Sequence, residues 1–143
     1  MNVMLINLYL LWGSIQDIKK RKISNIYLWA GGIYGFSLRI IGAWNDLQAI
    51  GDWLLAAVPG ALLLLVAVIT KEKIGTGDGL VLLILGEFIT FFELCMLLQI
   101  TVILLLVFAL ILLGSRKYSK NYPIPFLPFL WISHLLLWGM GYV

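Results

Sequence analysis

Six stretches without a single charged side chain, 1–16, 23–38, 53–70, 79–86, 94–115 and 121–143, take up most of this chain's 143 residues. Most of them approach the roughly 20 apolar residues that a helix needs to cross a hydrocarbon core. Inside such a core every backbone N–H and C=O must find its partner within the protein, and a helix satisfies this by itself. With 62% hydrophobic and 12% charged residues and a mean hydropathy of +1.03, the composition is that of an integral membrane protein and not of a soluble domain. The expectation is an all-α bundle of six transmembrane helices, one domain over residues 1–143, with spans near 1–17, 24–43, 52–70, 78–93, 94–114 and 123–142. Ser24 or Asn25 suits the cap of the second helix and residues 75–77 a flexible turn before the fourth. Pro123 and Pro125 suit the start of the sixth, while Pro59 falls inside the third.

Nine of the ten basic residues lie in three clusters between the apolar runs: Lys19, Lys20, Arg21 and Lys22; Lys71 and Lys73; and Arg116, Lys117 and Lys120. If the fourth run crosses, all three clusters share one side of the membrane and only Arg39 lies near the other. If it does not, the last cluster is on the wrong side. The positive-inside rule therefore places the N-terminus outside, the basic loops in the cytoplasm, and the loop bearing Asp46 and Asp52 outside. A net charge of +3 distributed in this way signals topology and not nucleic-acid binding. The run 19–22 also suits anionic lipid headgroups. The first apolar run lacks a basic n-region and leads into that cluster, so it is expected to be a retained span. One cysteine, Cys95, allows no intrachain disulfide, and one histidine, His134, leaves no usual zinc ligand set, so neither a metal nor another cofactor is expected.

Two acids stand out against this background. Asp17 closes the first span and Asp78 opens the fourth, and the two spans between them return the chain to the same cytoplasmic face. An acid in a membrane helix costs about 2.5–3.5 kcal/mol on insertion scales and marks chemistry or transport. A carboxyl pair can hydrolyse a peptide bond without a nucleophilic side chain: one ionised Asp activates water while a protonated one polarises the scissile carbonyl. Like charges a few Å apart do not both ionise, so the titration belongs to the pair. Gly75 and Gly77 give the backbone freedom before Asp78 and let an extended substrate approach. The alternative is a small transporter that uses the same acids as a proton or cation relay. Such a protein spreads its acids through the membrane depth and often carries internal repeats.

The segment Asp17, Ile18, Lys19, Lys20, Arg21, Lys22, Ile23, Ser24, Asn25 resembles the first-aspartate motif of type IV prepilin peptidases, and Gly75, Thr76, Gly77, Asp78 resembles their GxGD motif. Pro125, Phe126, Leu127, Pro128, Phe129, Leu130 is similar to the Pro-Phe-rich start of their last helix. The conjunction, in order and spacing over almost the whole chain, is more specific than any one piece. The resemblance implies a membrane aspartic endopeptidase that removes the short basic leader from prepilin or pseudopilin substrates at the cytoplasmic face of the cell membrane. Asp17 and Asp78 would be its catalytic pair, with Gly75, Gly77, Pro125 and Phe126 shaping the loops that meet the substrate. Ser24 stands where the family usually has Pro, and Gly79, Leu80 and Val81 lack the lysine often found after the GxGD aspartate. The cysteine-bearing cytoplasmic insertion of longer, methylating members is absent.

Plainer readings accompany the remaining polar residues. Asp17 can be neutralised by Lys20 or Arg21 one turn on, and Asp78 can cap a helix. Glu87 is out of phase with Asp78 and about 13 Å deeper, which gives it a structural role. Arg39 and Glu93 are expected to snorkel to the external interface, and His134 to form an interhelical hydrogen bond. Cys95 reads as a buried small residue. The tryptophans at 12, 44, 53 and 138 read as an aromatic belt.

Overall fold

A computed structural model describes residues 3–43, 47–70, 75–114 and 124–142. They form six helices: α1 Val3–Lys20, α2 Asn25–Ala43, α3 Leu47–Ile69, α4 Thr76–Gly86, α5 Phe91–Gly114 and α6 Leu127–Gly139. The expected all-α class and helix count are therefore present. Two helices, Ile50–Ile69 within α3 and Phe91–Gly114, are long and apolar enough to cross a membrane. Trp44, Asp46, Lys71, Lys73, Arg116, Lys117, Lys120 and Pro123 lie outside the described residues. Internal contacts divide the chain into two compact units, one over Lys22–Cys95 and one made of Val3–Arg21 with Met96–Val143.

In the first unit, α3 and α4 run antiparallel with their backbones almost touching. A Cβ added to Gly79 would lie 2.7 Å from Leu64 Cγ, one on Gly60 2.5 Å from Leu83 N, and one on Gly86 2.5 Å from the Ala56 carbonyl oxygen. Three contacts at successive turns make a continuous seam. Small residues serve this purpose in apolar surroundings, where helices associate through close packing because lipid tails compete for any merely hydrophobic contact. Val81, Leu82 and Leu85 fill the buried side of α4. Helix α2 meets the far end of α4, where Gly35 leaves room for Glu87 at 2.6 Å from a would-be Cβ. Tyr34 and Phe88 stack nearby with ring centroids 5.9 Å apart.

The fourth helix is shorter than the sequence suggests. The span expected over 78–93 is helical only to Gly86, about 16 Å of axis, and a turn leads into α5, which begins at Phe91 and not at Leu94. Hydrogen bonds from both sides hold the break. The amides of Glu87, Phe88 and Ile89 bond to the carbonyls of Ile84 and Leu85 at 2.9–3.0 Å. Arg39 takes the carbonyls of Gly86, Glu87 and Ile89. On the other side Thr90 and Glu93 form a reciprocal cap: the Thr90 amide donates to Glu93 Oε2 at 2.7 Å, and the Glu93 amide lies 3.4 Å from Thr90 Oγ1.

In the second unit α1 packs along α6. Ile6, Leu10, Gly13, Ser14 and Asp17 recur every three or four residues and form the buried stripe of α1. Leu127, Leu130, Ser133, His134 and Leu137 form that of α6. Asn7 Oδ1 lies 2.9 Å from His134 Nδ1, the interhelical bond expected of this histidine. The Thr101 hydroxyl lies 3.0 Å from Ser133 Oγ and ties α5 to α6. Phe108 and Phe129 add a ring contact at 5.1 Å between the same helices.

The sixth helix also differs from the expected 123–142. It starts at Leu127, with Pro128 in the first turn where a missing N–H costs nothing. It ends at Gly139 because Gly141 adopts φ 75°, with Gly141 N bonded to Trp138 O and Tyr142 N to Leu137 O, each at 3.0 Å. That pair of bonds is a Schellman motif, which needs glycine at the left-handed position.

The α3–α4 seam yields a direct test. Gly60→Ala and Gly86→Ala each place a methyl against backbone atoms and are expected to lower unfolding stability in detergent by about 1–3 kcal/mol. Gly51→Ala, which meets nothing within 4 Å, serves as the neutral control in the same thermal or denaturant titration.

Candidate active site

Asp17 occupies the last turn of α1 and is only 9% exposed. Its Oδ2 accepts the backbone N–H of Leu127 at 3.0 Å, and the Phe126 amide and the Arg21 charge act on the same carboxyl. The first amides of any helix lack intrahelical partners. Phe126, at the N-cap of α6, has no side chain to offer them, so Asp17 caps α6 from another helix. The local sequence explains how it gets there. Asp17 continues the buried stripe of α1, and the chain leaves the helix directly afterwards through Arg21 at φ 50°. The segment Pro125, Phe126 thus lies beside Asp17 within the second unit. The Leu127 amide was invisible to sequence reasoning, because a backbone donor carries no residue signature.

Asp78 belongs to the first unit and is half-buried. It is the third residue of α4, not its first: Gly75 is the N-cap at φ −64°, ψ 124°, and the Asp78 amide bonds back to Gly75 O at 3.1 Å. The carboxyl folds toward the cap, so that a Cβ on Gly75 would lie 3.3 Å from Oδ2. Gly77 faces Ile23, whose Cδ1 would be 2.8 Å from an added Cβ. The expectation that Gly75 and Gly77 supply torsional freedom is corrected here. Among the described residues Gly141 alone of the glycines has a positive φ, and residues 76–79 are already helical. These glycines provide space for a carboxyl, an isoleucine and a neighbouring helix, and they do not form a flexible turn.

Other residues are also resolved. Glu87 receives a hydrogen bond from the Trp53 side chain and sits near the Arg39 charge, in keeping with its expected structural role. Trp53 also packs on Phe36 with centroids 5.6 Å apart, so it is an internal residue of the first unit as well as a span-end aromatic. Arg39 and Glu93, expected to snorkel, both cap helix ends. The Thr90-x-x-Glu93 signature was available in the sequence for the second of them. Cys95 is half-buried and free. Among the described residues no three His, Cys, Asp or Glu side chains converge on a common point.

No curated protein and no solved structure gives a match to this chain. A family model does, over residues 4–113. The matched stretch contains Asp17, the basic run after it, Ile23 and the Gly75–Asp78 segment, and it ends before Pro125, Phe126 and α6. The relay reading of the two acids gains no support from it. With well over half of its length matched, the chain belongs to the type IV leader peptidase family, whose members are membrane-associated peptidases.

Proposed function

We propose that this chain is an aspartic endopeptidase that removes the short basic leader from prepilin or pseudopilin substrates at the cytoplasmic face of the cell membrane. Asp17 and Asp78 act as a pair on one shared water. The observation that carries the reading is the seating of Ile23 on Gly77. Ile23 ends the motif that Asp17 opens, and Gly77 immediately precedes Asp78, so the family's two aspartate motifs meet through a side chain. In the proposed reaction one carboxylate takes a proton from the water as it attacks the scissile carbonyl, and the protonated partner donates to the carbonyl oxygen. Collapse of the tetrahedral intermediate sends a proton to the departing amine. Gly75 makes room for the Asp78 carboxyl and Gly77 for Ile23, and Pro125 and Phe126, beside Asp17, border the path of an extended substrate.

The same reading makes all six helices transmembrane or part of a membrane-embedded bundle, with the N-terminus outside, the three basic clusters inside and anionic lipids around residues 19–22. The shortness of α4 is compatible with this, because a broken helix is tolerated at membrane depth where its free backbone groups are satisfied by protein.

Three outcomes are expected. Asp17→Asn keeps an oxygen for the Leu127 amide, so both it and Asp78→Asn should yield folded protein whose cleavage of a tagged prepilin falls by about 10²–10⁴. Mass determination of the new N-terminus reads this directly, and wild-type turnover by either variant would remove the pair. Single cysteines at Lys20 and Lys117, in a chain with Cys95→Ala, should react with an impermeant reagent only from the cytoplasmic side. Modification from opposite sides would show that the chain crosses an odd number of times between them. Gly77→Ala should lower kcat/KM severalfold, and adding Ile23→Val, which deletes the clashing Cδ1, should restore it. A double variant as impaired as the single one would sever the link between this contact and the chemistry.

A further inference from the structure

Arg39 is the one basic residue that lies outside the three clusters, and the structure gives it specific partners. Its Nε donates to Glu87 O at 2.8 Å, and its Nη2 lies 3.1 Å from both Gly86 O and Ile89 O. A cation in an apolar helix is costly to insert, while hydrogen bonds that involve a charged group are among the strong ones. Three such bonds offset the cost. The guanidinium also faces the negative end of the α4 dipole. Lysine, a point charge on a flexible stem, does not reproduce this planar fork.

Every other contact on α4 works in the same direction. Gly35 of α2 admits the Glu87 Cβ, and Ala56, Gly60 and Leu64 of α3 fix the helix along its length. Asp78 lies eight residues before Gly86, about 12 Å along the same helix. A helix of 11 residues has no room to absorb a shift at one end before the other, so the position of its C-terminal carbonyls sets that of its first turn.

We infer that Arg39 is a positioning residue of the peptidase: by holding the C-terminal carbonyls of α4 it sets the depth and rotation of Asp78. This rests on the catalytic role given to Asp78 above, and a misplacement of about 1 Å at such a group costs about 10²-fold in rate.

The test separates the clamp from the chemistry. In a chain carrying Cys95→Ala, Ile23→Cys and Gly77→Cys would bring two Cβ atoms to 3.6 Å, inside the roughly 3.5–4.5 Å range of a disulfide. The rate at which this pair closes under mild oxidation in membranes reports the placement of the α4 N-terminus without reference to activity. Arg39→Gln is expected to slow closure severalfold and, with the cysteines restored to Ile23 and Gly77, to lower kcat by about 10- to 100-fold at nearly unchanged KM. Arg39→Lys should be intermediate in both. Gly35→Ala, which presses on Glu87 from α2 and leaves Arg39 intact, should shift both readouts in the same sense and decides the matter if Arg39→Gln is not recovered from the membrane. Unchanged closure and unchanged kcat in these variants would overturn the proposal, as would a fall in kcat with closure unaltered. If closure responds to Arg39 while Asp78→Asn still cleaves, the clamp stands and the catalytic assignment fails.

Discussion

A helix that stops inside an apolar chain leaves its last carbonyls without partners, and in hydrocarbon no water replaces them. The α4–α5 break is this problem, and Arg39 is the main answer to it: one side chain takes the carbonyls of Gly86, Glu87 and Ile89. Much of the first unit follows from that arrangement. Because α4 ends at Gly86, α5 can begin afresh at Phe91 with its own Thr90–Glu93 cap. Because Arg39 reaches from α2, that helix must lie against the end of α4, and Gly35 is the residue that allows it. The glycine seam with α3 then holds the remaining length.

The second unit meets the same constraint at the opposite kind of helix end. Helix α6 starts at Leu127 with Phe126 at its N-cap, which leaves its first amides without a cap from their own segment. Asp17 supplies the acceptor. An acid proposed to act on substrate thus also secures a helix N-terminus, with Oδ2 on the Leu127 amide and the Phe126 amide acting on the same carboxyl. The plainer structural reading of Asp17, as a capping acid, describes what its carboxyl does in the fold.

How much of this could be read in advance depends on whether a feature rests on residue type or on backbone geometry. Six charge-free runs announce six helices, because hydrophobicity is a property of side chains, and the spacing of the aspartate motifs announced the family. The bounds of α2 and the end of α5 followed from Asn25 and from the last apolar residues before the basic cluster. The bounds of α4 and α6 did not. Residues 78–93 are apolar almost throughout, so nothing in their composition marks the stop at Gly86. It depends on an arginine 47 positions earlier. Glycines misled for a related reason. In sequence a Gly-x-Gly pair suggests torsional freedom, yet the torsions at Gly75 and Gly77 are ordinary and the missing Cβ atoms are what matter. The Schellman end at Gly141 is the converse case, where the torsion itself demands glycine.

The placement of these glycines bears on how the peptidase can move. If residues 75–79 formed a loose joint, Asp78 would be free to swing while α3 stayed still. Instead Gly79 is closed against Leu64 and Gly86 against the Ala56 carbonyl, and close-packed contacts of this kind shift between discrete arrangements and do not deform continuously. Any shift of the α4 backbone at Asp78 is therefore shared by α3 and α4 together, with Ile23 carried along on Gly77.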